Sequence, residues 1–212
     1  MELILPILLL ILTYVNICYC GRPTTNRQLE KTLLAKYERR HRPVKKESTS
    51  TTVKAFIVIN HIEEVNQDEQ TMIVHGMLWA QWKDEYLTWD PKKWSNVDMI
   101  SIQPWKIWQP AFALYNSAKT NSWYLYMNGQ PATVTSNGKV SAIGAFTFHV
   151  TCSFDFSNFP YDTQDCPIVI ADWVYDLSKV NLTNSGVLPK PVIRLSTNPF
   201  RGTAKKHVAG GF

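Results

Sequence analysis

The sequence predicts a mostly β protein, an antiparallel β-sandwich preceded by one N-terminal α-helix. Apolar residues alternate between Val53 and Ile59 in the way that is typical of a half-buried strand. Asn137-Gly138 is a dipeptide typical of a tight hairpin and lies between two further strand candidates. Those candidates follow one another without long helical patterns between them, which is typical of a sandwich: 72–82, 99–107, 122–128, 131–135, 139–153, 166–175 and 191–196.

The single helix is predicted over Asn26 to Arg42, with Thr25 or Asn26 as its cap and Pro43 as its end. Its apolar residues recur on one face at helical spacing: Leu29, Leu33, Leu34 and Tyr37. The basic run from Arg39 to Lys46 is interpreted as a solvated face and linker, with a binding patch as the alternative.

The first 20 residues are predicted to be a secretory signal peptide, because they are apolar and carry Glu2 as their only charge. An uncleaved signal anchor is the alternative, since the positively charged start of a signal peptide is missing. The remaining chain is then expected to divide into an N-terminal helix with a basic linker over 21–52, the β-sandwich over 53–196, and a polar, disordered tail over 197–212.

The four cysteines fall into two groups, and Cys18 and Cys20 lie in the predicted signal segment. Removal of that segment leaves Cys152 and Cys166, which can pair only with each other in an oxidising compartment. Such a bridge would stabilise the fold by roughly 3 kcal/mol through the entropy of the unfolded chain. Two unrelated buried thiols are the alternative.

The charge distribution argues against a nucleic-acid binder. The net charge is +5, but residues 48–189 carry eight Lys/Arg against thirteen Asp/Glu, so the basic excess belongs to the ends of the chain. A nucleic-acid binder would be expected to carry its basic surface on the folded domain. The sequence also contains no zinc-protease, CxxC, nucleophile-elbow or phosphate-loop motif, so we expect neither an enzyme nor a metal or cofactor.

The most specific motif is the segment from Cys152 to Cys166, which encloses thirteen residues. Phe159-Pro160-Tyr161-Asp162 near its middle is typical of a tight turn. Most X-Pro bonds are trans, although this is the bond type at which a cis peptide costs little. This pattern resembles the loop that defines the Cys-loop receptors, the pentameric neurotransmitter-gated ion channels that include the nicotinic acetylcholine receptors. With this resemblance, the Phe159–Pro160 bond is predicted to be cis. Four more segments are similar to the family pattern, so that the resemblance covers roughly 26–182: Trp82–Pro91, Ile107–Pro110, Leu114–Asn116 and Trp173–Asp176.

The resemblance implies an extracellular, immunoglobulin-like sandwich that binds a small cationic neurotransmitter, an acetylcholine-like amine, in a homo- or hetero-pentamer of related subunits. Aromatic faces hold such cations. Trp173 and Tyr115 match two residues of the family's aromatic box, and packing of both rings in a core is the alternative. The tryptophan of the complementary face aligns with Met77, and Trp79 would point to the same side of a strand and could replace it.

The resemblance also assigns regions that couple binding to a pore. Glu64 falls in a segment similar to the family's first turn, and Phe159, Pro160, Tyr161 and Asp162 form the loop that rests on the membrane domain in full-length relatives. The sequon at Asn181 predicts a glycosylation site on a surface loop.

The departures from the family pattern are as informative as the matches. Ala111 replaces the Asp that normally follows Trp-x-Pro, and this is expected to remove a polar anchor beneath the site. No Trp, Tyr or Cys follows Tyr175, and no second apolar run could span a membrane, so the family's capping loop and membrane helices are expected to be missing. Asp172 stands where the family more often has Ser or Gly.

Two functions remain open at this stage. The first is a truncated ligand-binding domain of a channel subunit, located at the cell surface if the gene continues into membrane helices. The alternative is a secreted module that binds small amines or modulates receptor assembly. With an open site, the expected affinity is near 0.1 mM or weaker, about two decades below a micromolar complete site.

Overall fold

The computed structural model describes residues 25–120, 123–184 and 204–205. These residues form one α-helix, α1 (Thr25–Leu34), two short 3₁₀ helices (Pro91–Trp94 and Pro104–Lys106) and ten strands: β1 (Thr51–Asn66), β2 (Thr71–Lys83), β3 (Met99–Ile102), β4 (Phe112–Leu114), β5 (Ala132–Thr135), β6 (Lys139–Thr151), β7 (Asp165–Cys166), β8 (Ile170–Asp172), β9 (Val180–Asn184) and β10 (Ala204–Lys205). Within these ranges, no helix combines the length and the hydropathy that a membrane crossing requires. The predicted signal segment over 1–20 and the predicted strand over 191–196 lie outside the described residues.

One large sheet forms the first layer, with the strand order β3-β5-β6-β2-β1-β9. Neighbours pair antiparallel except at one edge, where β9 runs parallel to β1, with Val180 opposite Thr51. This parallel pair departs from the predicted all-antiparallel sandwich. The mostly β class with one N-terminal helix is confirmed.

The second layer is built from the β4–β8 pair and from β7. Its buried side chains, Phe112, Leu114 and Ile170 among them, meet the inward face of the large sheet, where Ile57, Leu78 and Phe148 are also fully buried. The sandwich core therefore lies between β1, β2 and β6 on one side and β4 and β8 on the other.

Two strand predictions need correction because backbone partners, rather than local propensity, set the strand bounds. Only a short part of 122–128 pairs, since Tyr124 forms an isolated bridge with Ala113 and Leu125 donates its amide to the Phe112 carbonyl oxygen. The candidate 99–107 ends at Ile102, because Pro104 begins a short 3₁₀ helix. The strands β4 and β9 were not predicted. Ala204–Lys205, inside the predicted disordered tail, pairs with β7.

The predicted helix is too long, since α1 ends at Leu34 rather than at Arg42. The residues that follow are good helix formers, but their side chains bind the sandwich. Tyr37 donates its hydroxyl to the buried Asp84 carboxylate, and Arg42 donates to the carbonyl oxygens of Glu47, Thr49 and Lys179. Helix propensity is only a small energetic preference, so these tertiary bonds outweigh it.

The hairpin predicted at Asn137-Gly138 is confirmed. Gly138 has a φ of 84°, and a β-carbon there would lie 2.2 Å from the Asp84 carbonyl oxygen. The Asp84 amide donates to the Gly138 carbonyl oxygen at 2.7 Å, so this turn is held tightly against the end of β2.

Candidate functional site

A cavity of about 610 Å³ lies beside β8 and brings together the two aromatic residues that the sequence singled out, Tyr115 and Trp173. The Trp173 side chain is 59% exposed and Tyr115 is 51% exposed, so neither ring packs in the core. Tyr175 adds a third ring to the lining. The ligand-binding role of these rings stays a prediction, but their placement in one cavity agrees with it.

Hydrogen bonds in both directions join the Trp173 loop to Ala111, the residue that replaces the family's aspartate. The Trp173 amide donates to the Ala111 carbonyl oxygen at 2.9 Å. In the opposite direction, the Ala111 amide donates to Asp172 Oδ2 at 3.1 Å. Its Oδ1 also accepts the amides of Val174 and Tyr175, each at 2.9 Å.

The polar anchor expected to be lost at Ala111 is therefore present, and it comes from the opposite strand. Asp172 lies directly across from Phe112 in the β4–β8 pair, so its carboxylate can reach the backbone that precedes β4. The prediction that Ala111 leaves the site without such an anchor is wrong. Both Ala111 and Asp172 are unusual in the sequence, but only the structure shows that Asp172 compensates for Ala111.

Tyr115 is positioned by the end of β4 and by the residue that follows it. Its amide donates to the Val169 carbonyl oxygen at 2.8 Å. The neighbouring Asn116 side chain donates to the carbonyl oxygens of Thr151 and Pro167 and accepts the Val169 amide. Asn116 thus joins the loop of the aromatic site to both backbone segments that flank the disulfide.

Trp123 is a site residue that sequence reasoning missed. Its ring lies 5.1 Å from that of Trp173 in a T-shaped arrangement, and it also contacts Tyr124. The unusual run Trp123-Tyr124-Leu125-Tyr126 was a signal, but it was interpreted only as a strand. Edge-to-face contacts of this kind fix the orientation of a ring, so Trp123 holds the exposed Trp173 in place.

The cavity carries negative charge. Asp172 and Asp176 both line it, and among the described residues that line it there is no Lys, Arg or His. The Ser178 hydroxyl donates to the Asp176 carboxylate and lowers the pKa of that carboxyl below its ordinary value, so Asp176 is ionised at neutral pH. A cavity with aromatic walls and two carboxylates is suited to a cation rather than to an anion.

Trp79 lies elsewhere. It is on the outward face of β2, opposite Ile143, and its ring is 5.0 Å from that of Phe56. Met77 projects from the same face. Trp79 and Trp173 of one chain therefore do not line the same cavity. This is expected if Trp79 belongs to the complementary face, the surface that a subunit presents to the site of its neighbour.

The loop between Cys152 and Cys166 is closed by the predicted disulfide, and the Phe159–Pro160 bond is cis as predicted. The apolar tip is confirmed as well, since Phe159 is 74% exposed and Tyr161 is 91% exposed. The Gln164 side chain organises the loop: its Oε1 accepts the Asp155 amide, and its Nε2 donates to the Asp155 carbonyl oxygen.

A second contact that the sequence did not reveal links this loop to the β1–β2 turn. The Gln70 carbonyl oxygen accepts the Cys152 amide at 2.9 Å, and its side-chain Oε1 accepts the Phe154 amide at 2.7 Å. Glu64 lies within β1 rather than in a turn, because that strand continues to Asn66.

Two remaining expectations concern modification and metals. Asn181 is exposed in the edge strand β9, which leaves it accessible, and its glycosylation stays a prediction. In the part of the chain that the structure describes, no three His, Cys, Asp or Glu side chains are grouped as a metal site would need.

Together, the sandwich, the disulfide-closed loop and the aromatic cavity define a ligand-binding domain of the receptor class, not an enzyme. Residues 26–202 match the neurotransmitter-gated ion-channel ligand binding domain. The chain belongs to this family, whose members bind neurotransmitters through an extracellular domain and assemble as pentamers.

Several acetylcholine receptor proteins are similar to this chain. It is 31% identical to the acetylcholine receptor-like protein cup-4 of Caenorhabditis briggsae, over 81% of this chain and 40% of the relative. It is 33% identical to the neuronal acetylcholine receptor subunit alpha-2 of Gallus gallus, over 74% and 29% of the two chains. For the human alpha-4 subunit the identity is 30%, over 77% and 26%. The similarity therefore spans well under half the length of these relatives.

Proposed function

We propose that the cavity between Tyr115 and Trp173 binds a small organic cation, an acetylcholine-like amine, and that the chain acts as the ligand-binding domain of a channel subunit. The observation that carries this proposal is the cavity itself, whose described lining combines exposed aromatic rings with two carboxylates and contains no basic residue. A quaternary or protonated amine is held over the faces of such rings, each contact contributing about 0.5–2 kcal/mol.

The placement of Trp79 supports a site that is completed between two subunits. Trp79 lies on the outward face of the large sheet, whereas Trp173 and Tyr115 line a cavity beside the second layer. A cation that contacts all three rings would need the Trp79 of a neighbouring subunit. A homo- or hetero-pentamer of related chains provides such a neighbour.

The proposed route from the site to a pore runs through the disulfide-closed loop. Asn116 connects the Tyr115 loop to the backbone around the disulfide, and Gln70 in the β1–β2 turn accepts the Cys152 and Phe154 amides of the disulfide-closed loop. Glu64 lies in β1, the strand that leads into this turn. The apolar tip formed by Phe159 and Tyr161 is free to contact a membrane domain.

The test is isothermal calorimetry of acetylcholine, choline and biogenic amines with the full, secreted and glycosylated chain. We expect an affinity near 0.1 mM for a single chain and a loss of roughly tenfold or more in the Trp173→Ala variant. Trp105→Ala is the matched control, because Trp105 is 53% exposed and is not among the residues that line the cavity.

Three outcomes are distinguishable. Equal affinities for the two variants would refute the cavity as the cation site. Binding that depends on Trp173 and strengthens when related subunits are added would support the subunit interpretation. Binding by the isolated chain at micromolar affinity or better, dependent on Trp173, would instead favour the secreted amine binder.

A further inference from the structure

Three lysines converge at one end of the outward face of the large sheet. The strands β6, β2 and β1 are neighbours, and Lys83 on β2 lies directly opposite Lys139 on β6. Lys54 on β1 is opposite Gln81, which places it diagonally from Lys83. Directly opposite side chains have β-carbons roughly 4.5–5.5 Å apart, and diagonal neighbours are roughly 7–8 Å apart.

No carboxylate in the described part of the chain forms an ion pair with this lysine cluster. In residues 25–120 and 123–184, the ion pairs are Lys106 with Glu30 and His75 with Glu63, both elsewhere in the fold. The two acids that follow Lys83 in the chain are engaged with other partners. Asp84 accepts the Tyr37 hydroxyl, and Glu85 accepts the Lys45 amide.

Such an arrangement is unfavourable without a counter-ion, because like charges directly opposite one another destabilise a sheet. Exposed lysines can instead protect the edge of a sheet from pairing with another chain. That explanation does not apply to Lys83 and Lys139, since β2 and β6 are interior strands and the edges are β3 and β9.

The lysines line a cavity of about 390 Å³ whose other polar walls include Thr52 and Asn137. The Asn137 carboxamide oxygen accepts the Thr135 hydroxyl and the Lys139 amide, so the part of this side chain left for a ligand is its amide nitrogen. The site thus offers three ammonium groups, an amide donor and a hydroxyl.

The frame that carries these donors is fixed. The amide of Asp84, next to Lys83, donates to the carbonyl oxygen of Gly138, next to Lys139, at 2.7 Å. The ends of the two strands therefore cannot separate to relieve the repulsion between the lysines without breaking that bond.

We propose that this lysine cluster is a binding site for a doubly charged oxyanion, a sulfate or phosphate group that is either free or esterified to a sugar. The ammonium groups would neutralise the anion, and the amide and hydroxyl would donate to its remaining oxygens. The cavity falls in the size range of small-molecule sites, which is enough for an anionic group together with part of the sugar that carries it.

The first experiment is thermal unfolding of the full chain in sodium sulfate and in sodium phosphate, each compared with sodium chloride at the same ionic strength. We expect a higher Tm in the oxyanion salts than in chloride. The variant Lys83→Gln with Lys139→Gln should have a raised Tm at low salt, because the repulsion is gone. It should keep only the smaller, non-specific rise in Tm that sulfate and phosphate give to any folded protein. Lys92→Gln with Lys93→Gln is the matched control, since both residues are exposed and outside the cavity.

The second experiment is calorimetry with a sulfated heparin disaccharide and with its desulfated counterpart. Loss of two charge-assisted contacts in the Lys83/Lys139 variant should weaken binding of the sulfated sugar about a hundredfold, and the control should bind as the unaltered chain does. Tighter binding of the sulfated sugar than of inorganic sulfate would assign the site to an ester, and equal binding would assign it to the free ion.

Equal salt effects in the unaltered chain and in the Lys83/Lys139 variant would overturn the proposal. So would a Tm that depends on protein concentration but not on the anion, because the lysines would then face carboxylates of another copy of the chain.

Discussion

Removal of the Asp172 carboxylate is the sharpest test of how the aromatic site is held. The carboxylate accepts three backbone amides: two within its own turn, from Val174 and Tyr175, and one from Ala111 across the β4–β8 pair. A hydrogen bond to a charged group contributes about 1.5–3 kcal/mol when buried. Since Asp172 is half-buried, we expect Asp172→Ala to lower the free energy of unfolding by about 2–4 kcal/mol in total.

Asp172→Asn separates the local bonds from the long-range bond. An asparagine keeps one carboxamide oxygen to accept the two amides of the turn. Its carboxamide NH2 then faces the Ala111 amide, and because both groups are donors, the buried Ala111 amide is left unpaired. The expected loss is about 1–2 kcal/mol. Urea unfolding, followed by tryptophan fluorescence, measures both variants.

A swap of the anchor between the strands completes the experiment. Ala111→Asp with Asp172→Ser restores the arrangement of the family pattern, and we expect it to be at least about 1 kcal/mol more stable than the sum of the two single changes predicts. A loss below about 0.5 kcal/mol in Asp172→Ala would refute the reasoning, as would strict additivity in the swap.

Three further predictions concern stability away from the cavity. Tyr37→Phe should lower the free energy of unfolding by about 1.5–3 kcal/mol, because the buried Asp84 carboxylate loses a donor. Tyr86→Phe is the control, since that hydroxyl is exposed, and it should lower the free energy of unfolding by less than about 1 kcal/mol. Burial raises the pKa of the Asp84 carboxyl, so the free energy of unfolding should fall as the pH rises from about 4 through the folded-state pKa, and Asp84→Asn should show a flatter pH profile in urea unfolding. Replacing Cys152 and Cys166 together by Ala should lower that free energy by about 3 kcal/mol, and an unchanged unfolding midpoint would contradict the disulfide's role.

The parts of the fold that the sequence predicted are those set by local chemistry. The Asn137-Gly138 turn and the alternation from Val53 to Ile59 in β1 each depend on a few adjacent residues, and the closing of the loop at Cys166 depends on the number of cysteines. The helix end was missed because nothing local stops a helix before Pro43. The actual end at Leu34 depends on bonds from Tyr37 to a residue 47 positions away.

The candidate site was predicted in part for the same reason. Trp173 and Tyr115 were found through motifs, each readable within a few residues. The contact between Trp123 and Trp173 and the bond from Asp172 to Ala111 join segments 50 or more residues apart. Such pairs become visible only when β4 and β8 lie side by side, so the sequence showed the unusual residues without showing that they belong together.

Asn116 has a mechanical consequence. Its side chain, next in sequence to Tyr115, binds the backbone on either side of the disulfide through three hydrogen bonds. A displacement of the Tyr115 loop that carried Asn116 with it would break hydrogen bonds on both sides of the disulfide. The backbone position of Tyr115 is thereby tied to that of both segments that the disulfide joins.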